Sequence, residues 1–163
     1  MKHTISVLVE NKFGVLSRVA GLFSGRGFNI ESLSVAPTMD ASTSRMTIVT
    51  RGDDGIIEQI TKQLYKLIDV IKVNEFTAEE EYVVREVALV KVNAEQDNRA
   101  EILRMTEVFR GKVVDVSPKT YTIEVTGTEN KVNAFIEMVR PLGVIEIARS
   151  GKVAMARGKK ALG

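Results

Sequence analysis

The feature that most constrains the fold is a change of hydrophobic period that recurs in a fixed order. Apolar residues alternate at period two over residues 3–9, and from 15 to 23 they recur at the three-to-four-residue spacing of a helix. Two strand-like runs, a second helical stripe and a fourth strand-like run follow before residue 76. The order strand–helix–strand–strand–helix–strand predicts a four-stranded antiparallel sheet with both helices on one face.

The same order returns in the second half of the chain. Its strand patterns cover residues 85–92, 113–116, 120–125 and 144–148, and its helical patterns cover 99–109 and 129–139. A short acidic stretch separates the halves, and the last fifteen residues carry five basic and no acidic side chains. We therefore predict an α+β protein built from two tandem ferredoxin-like βαββαβ sandwiches. The predicted division is a first domain at 1–76, a linker at 77–81, and a second domain at 82–163 that ends in the basic tail.

The residue types that the chain lacks exclude most catalytic chemistry. It has no Cys, and its one His is His3. Without Cys there is no thiol nucleophile and no Cys-ligated metal, and a single His cannot form a multi-His metal site. No apolar run approaches the roughly 18 residues that cross a bilayer, and no export leader precedes the first strand pattern. We expect a cytoplasmic protein with no metal site and no membrane contact.

Two functions of this fold find little support in the residues. An RNA-recognition module stacks bases on aromatic side chains of its first and third strands. In the third predicted strand of each half, only Tyr121 is aromatic. The basic tail is then left as the feature that favours nucleic-acid binding. We therefore expect that no nucleic acid binds. A small hydrolase of the acylphosphatase kind needs Asn and Arg in the loop after the first strand. Asn11 lies there, but Arg18 already falls within the predicted helix.

A third function, binding of a small amino acid, agrees better with the first loop. The Asn11 amide can both donate and accept hydrogen bonds, and Gly14 lets a ligand approach the backbone closely. The N–H groups of Val15 and Leu16 lie in the first turn of the predicted helix, where intrahelical partners are lacking, and they suit a carboxylate. The alternative is that Asn11 caps the turn and Gly14 permits it. Spacing alone leaves both interpretations open.

Longer segments of the sequence resemble a known family. The first half resembles the ACT domain of the regulatory, or small, subunit of acetohydroxyacid synthase, which is also called acetolactate synthase. The resemblance extends through the second half, which argues against a free-standing amino-acid sensor. The segments that carry it are GVLSRVAGLFSGRGFNIESLSVAPT (14–38), SRMTIVTRGD (44–53), LVKV (89–92), TEVFRGKVVDVSP (106–118), VTGTENKVNAF (125–135) and IARSG (147–151).

The resemblance implies a subunit without a catalytic site of its own. Such subunits associate with a large catalytic subunit that holds thiamine diphosphate, Mg²⁺ and FAD, so no cofactor is expected on this chain. They activate that subunit and confer feedback inhibition by a branched-chain amino acid, most often valine. ACT domains pair side by side, which implies a homodimer with the effector at the seam. The basic tail is then a terminus or a subunit contact. The family's effector positions correspond to Asn11, Gly14, Val15 and Leu16 of one protomer and to Asn29 and Ile30 of the other.

Overall fold

The computed structural model describes residues 1–162, and these divide into two compact units. The first unit contains Met1–Val83 together with the segment from Lys152 onward, and the second is Val84–Gly151. The chain thus leaves the first unit and later returns to it. This differs from the predicted division, in which the whole basic tail belongs to the second domain.

The first unit has the predicted βαββαβ order. Its elements are β1 (Lys2–Glu10), α1 (Val15–Gly25), β2 (Ile30–Pro37), β3 (Thr43–Arg51), α2 (Asp54–Tyr65) and β4 (Val70–Phe76). The strands pair in the order β2-β3-β1-β4, and all three pairings are antiparallel. Strand β2 is therefore an edge strand, while β1 lies inside the sheet. The prediction of a ferredoxin-like sandwich is confirmed for this half.

The core of the first unit lies between one face of the sheet and the two helices. Its buried side chains are Ile5, Val7, Val9, Val15, Val19, Phe23, Met46, Ile48, Ile57, Ile60, Leu64 and Val73. Among the apolar residues outside it are Ile68 and Leu16. Ile68 is 94% exposed because α2 ends at Tyr65, and Leu16 on α1 is 42% exposed. The exposure of Leu16 leaves apolar surface beside the start of α1.

The second unit repeats the same order. Its elements are β5 (Tyr82–Asn93), α3 (Arg99–Val108), β6 (Lys112–Val116), β7 (Thr120–Gly127), α4 (Glu129–Gly143) and β8 (Val144–Arg149). The sheet has five strands, and four of them pair in the order β6-β7-β5-β8, which matches the order in the first unit. On α3 the apolar side chain of Val108 is 73% exposed. Thr106 is buried instead, and its Oγ1 donates to the Ile102 carbonyl at 2.7 Å.

The C-terminal segment covers part of the outer face of the first sheet, the face opposite the helices. Strand β9 (Val153–Ala156) lies in this segment. Arg45 Nη2 donates to the Ala154 carbonyl at 2.6 Å, and the Lys152 N–H donates to Ser32 Oγ at 3.3 Å. These bonds explain why the described part of the basic tail belongs to the first unit.

His3, the one histidine, has a structural position. It is 5% exposed, with Nδ1 2.8 Å from Glu75 Oε1 and Nε2 2.9 Å from the Gly52 carbonyl oxygen. The imidazole therefore links β1 to β4 and to the end of β3. Both ring nitrogens are engaged within the protein.

Candidate functional site

The loop between β1 and α1 presents an uncapped helix start. Gly14 is the N-cap residue at φ +83°, no side chain caps it, and the first turn of α1 has no acidic residue. One part of the prediction is wrong, because the Val15 N–H is not free: it donates to the Lys12 carbonyl at 3.4 Å. The Val15 side chain is also buried in the core. Side-chain surface for a ligand is thus offered by Leu16 and not by Val15.

Arg18 places a cation directly over Gly14. A Cβ on Gly14 would lie 3.0 Å from Arg18 Nη1. The other edge of the guanidinium is fixed, because Nε and Nη2 donate to Asp69 Oδ2 at 3.0 and 2.6 Å. Asp69 is 6% exposed, so this ion pair has a well-shielded carboxylate. The Nη1 edge remains directed at the start of α1.

Sequence reasoning missed this arrangement. In the sequence, Arg18 counts only against a small hydrolase of the acylphosphatase kind, because it lies inside the predicted helix. However, helical side chains tilt toward the helix N-terminus, and residues four apart share a face. Arg18 follows Gly14 by four residues, so its guanidinium can reach back over that glycine. The four-residue spacing between Gly14 and Arg18 was the sequence signal that could have indicated this contact.

A turn in the β2–β3 loop holds Asn11. The Asn11 N–H donates to the Ser42 carbonyl at 2.8 Å, and Asn11 Nδ2 donates to the Ala41 carbonyl at 3.1 Å. Asp40 stabilises the turn, because its carboxylate accepts from the Ser42 N–H at 2.9 Å and from Ser42 Oγ at 2.7 Å. No other group within residues 1–162 binds the exposed Asn11 amide, so Asn11 Oδ1 can accept from a ligand.

The charge on Asp40 gives this turn a pH dependence. The hydrogen bonds from Ser42 lower the pKa of the Asp40 carboxyl below its ordinary value. A depressed pKa stabilises the turn at and above the ordinary aspartate pKa, and that contribution is lost as the pH falls through the folded-state value. We expect the Ser42 amide proton, followed by NMR, to shift upfield on acidification, with a midpoint below the ordinary aspartate pKa. The Asp40→Asn variant should lack this transition, and a midpoint above the ordinary value would contradict the assignment.

Asn29 and Ile30 lie at the start of the edge strand β2. The Asn29 side chain is exposed, and the backbone carbonyl of Asn29 accepts from Thr50 Oγ1 at 2.8 Å. Ile30 is partly buried against the margin of the core. An amide and an apolar side chain thus stand together at the beginning of the sheet edge.

One copy of the chain does not bring the six predicted residues together. The Asn11 loop follows Glu10, which is paired with Thr43 at the start of β3, whereas Ile30 is paired with Thr50, seven residues along the same strand. At about 3.3 Å per residue the two groups are roughly 23 Å apart, at opposite ends of the sheet. Antiparallel addition of a second β2 to the free edge would place Asn29 of one copy at the Pro37 end of the other, the end where the Asn11 loop lies.

The described residues offer no alternative centre for metal chemistry. Within 1–162, His, Cys, Asp and Glu side chains do not form a group of three suited to holding a metal ion. The helices of this range are also too short or too polar to span a membrane.

Comparison with known proteins covers nearly the whole chain. Residues 5–72 match a family model described as the AHAS small subunit-like ACT domain, and residues 85–158 match one described as the small subunit of acetolactate synthase. The chain is 58% identical over 160 residues to a probable acetolactate synthase small subunit of Archaeoglobus fulgidus, covering 98% of this chain and 99% of that protein. It is 51% identical over 161 residues to the acetolactate synthase isozyme 3 small subunit of Escherichia coli, covering 98% of each.

A solved structure agrees with these sequence matches. The crystal structure of the acetolactate synthase small subunit from Thermotoga maritima has a TM-score of 0.90 and 46% identity, and the match covers 98% of this chain and 99% of that one. The likeness therefore extends through both sandwiches.

Proposed function

The chain belongs to the family of acetolactate synthase small subunits, and from this premise we propose that it activates a catalytic subunit and makes it sensitive to feedback inhibition by valine. The match over both halves of the chain carries this proposal. We assign thiamine diphosphate, Mg²⁺ and FAD to the catalytic subunit. The effector binds between the ACT domains of two copies of this chain.

The carboxylate of the effector binds at the start of α1. Backbone N–H groups of the first helical turn and the helix dipole favour an anion there. Arg18 Nη1 supplies a further donor next to Gly14, on a guanidinium that Asp69 holds in place. A hydrogen bond to a charged group contributes about 1.5–3 kcal/mol. Because the Arg18 side chain is half-exposed, we expect its hydrogen bond to the effector to contribute at the lower end of that range.

The remaining parts of the effector contact both copies. Leu16 of one copy and Ile30 of the other offer apolar surface, and burying a branched aliphatic side chain contributes roughly 1.5–3 kcal/mol. The ammonium group needs acceptors, which Asn11 Oδ1 and the Asn29 amide oxygen of the other copy provide. Free valine satisfies these requirements with one hydrophobic side chain and two charged ends.

Inhibition follows from the division of the site between two copies. The groups at opposite ends of one sheet meet only when two β2 edges are opposed. An effector that binds this arrangement better than any other shifts the population toward it. The catalytic subunit then receives a coupling free energy, which is typically about 1–3 kcal/mol.

Reconstitution tests the proposal as a whole. The purified chain is mixed with the catalytic subunit of the same organism, and acetolactate formation is measured with and without valine. We expect addition of the chain to raise the activity and valine to lower it, with leucine and isoleucine titrated in parallel. An activity that does not change on addition of the chain would contradict the proposed function.

Replacing Asn29 with Ala tests the contact across the seam. We expect the valine concentration for half-inhibition to rise by about tenfold, because one hydrogen bond to the charged ammonium is lost. Activation of the catalytic subunit should be nearly unchanged, since the Asn29 side chain is exposed. The matched control is Asn130→Ala, an exposed amide on α4 of the second unit. Equal losses of activation and inhibition in Asn29→Ala would indicate a structural role instead.

A further inference from the structure

A cavity lies on the outer side of the first sheet. It has a volume of about 270 Å³, is partly open to solvent and lies between the outer face of the sheet and the C-terminal segment of the same unit. Lys72, Asn74 and Phe76 of β4 line it because alternate residues of a strand share a face, whereas Val73 between them faces the core. The helices and the Gly14 loop lie on the opposite side of this sheet.

The cations that line the cavity are Arg45, Lys72, Lys159 and Lys160, of which Lys160 forms an ion pair with Glu80. Arg45 is partly buried, and its Nη2 donates only to neutral oxygens, those of Ala154 at 2.6 Å and Ser6 Oγ at 3.3 Å. Within residues 1–162 no Asp or Glu forms an ion pair with Arg45, Lys72 or Lys159. Burial lowers the pKa of the Arg45 guanidinium, and no acidic neighbour offsets this effect. Because the Arg45 guanidinium is partly buried and its Nη2 has only neutral acceptors, an anion beside it would offset part of its desolvation.

The rest of the lining is apolar. Phe76 is 5% exposed and stacks on Tyr82 with ring centroids 4.8 Å apart, which fixes its position. Met155 and Leu162 of the C-terminal segment line the cavity opposite the sheet. The cavity therefore combines a cationic part with an aliphatic and aromatic part. Its volume is below the range of about 300–1,000 Å³ that drug-sized ligands occupy, which favours a smaller compound.

We propose that this cavity binds a small organic anion, a carboxylate with a short aliphatic chain. The carboxylate faces Arg45 and Lys72, where the guanidinium Nη1 and the Lys72 ammonium are charged donors, since Nη2 already donates to Ala154 and Ser6. The aliphatic chain lies against Phe76 and Leu162. This site is separate from the valine site and does not rest on the proposed regulatory function.

Calorimetric titration of the full chain with matched probes tests the proposal. The probes at constant ionic strength are hexanoate, acetate (head group alone), inorganic phosphate (a different anionic head group) and 1-hexanol (aliphatic chain alone). We expect hexanoate to bind at least tenfold more tightly than acetate or phosphate, and hexanol not to bind. Equal affinity for all three anions would overturn the proposal, because it would indicate only a positively charged surface.

Variants locate the binding on the protein. Lys72→Gln should weaken hexanoate binding at least fivefold, whereas Lys66→Gln, which removes one exposed positive charge from the helix side of the same unit, should not. Gly14→Asp should bind hexanoate as the wild type does. Loss of binding in Gly14→Asp together with retention in Lys72→Gln would place the anion in the valine site and overturn the proposal. So would equal effects of Lys72→Gln and Lys66→Gln.

Discussion

Replacing Gly14 with Asp is expected to remove valine inhibition while activation of the catalytic subunit is retained. The new Cβ would lie 3.0 Å from Arg18 Nη1, so the introduced carboxylate would bind the guanidinium that otherwise receives the effector. Losing that hydrogen bond and adding a negative charge should raise the valine concentration for half-inhibition by about 10- to 100-fold. Inhibition curves of the reconstituted complex, measured with wild-type and variant chains, provide the test.

Gly14→Ala separates the charge from the backbone. Gly14 has φ +83°, where any side chain costs roughly 1–2 kcal/mol, and alanine shares this strain and the added Cβ but not the carboxylate. We therefore expect a smaller shift for Gly14→Ala than for Gly14→Asp. Equal shifts would attribute the effect to the backbone and not to Arg18. Inhibition curves of Gly14→Asp that overlay those of the wild type would mean that the effector binds elsewhere.

Replacing Arg18 with Gln is expected to have an effect of similar size on inhibition. The variant loses the charged donor over Gly14, so half-inhibition should again require about 10- to 100-fold more valine. It should also lower the free energy of unfolding by about 1–3 kcal/mol, because the buried Asp69 carboxylate loses both hydrogen bonds from the guanidinium. Valine titration and urea denaturation measure the two effects separately.

Asp69→Asn is the matched control for Arg18→Gln. It removes the charge of the same ion pair but leaves the guanidinium beside Gly14. Both variants should therefore lower the free energy of unfolding, whereas Arg18→Gln should shift inhibition much more than Asp69→Asn. If the inhibition shifts of the two variants were proportional to their losses of stability, Arg18 would have a structural role and would not bind the effector.

The fold could be predicted because its signal is local and occurs twice. In each half of the sequence, segments with the hydrophobic period of a strand or of a helix follow one another in the same order, and glycine or proline marks their ends. The strands and helices of both units occur in that order. Strand β9 could not be predicted in the same way. It has four residues, too few for a clear alternation, and the bonds that hold the C-terminal segment join positions more than a hundred residues apart, such as Arg45 and Ala154.

The candidate site was predictable only in part. The chemistry of Asn11 and Gly14 indicates a polar, open loop. Asn29 and Ile30 are identified as effector positions only through the family resemblance. The role of Asp69 could not be inferred, because it lies 51 residues from Arg18 and meets it only in the folded unit. The Val15 N–H was assigned as free from a general property of helix ends, but the Lys12 carbonyl accepts from it.

The return of the C-terminal segment to the first unit has a consequence for the order of events during protein synthesis. Residues 152–162, which include β9, leave the ribosome after strands β1 to β8, so the first unit to emerge is the last to be completed. Until then Arg45 lacks its acceptor on Ala154, and Ser32 lacks the Lys152 N–H. The nascent ACT domain therefore exposes one face of its sheet throughout synthesis of the second unit, and premature termination in that unit would leave this face uncovered.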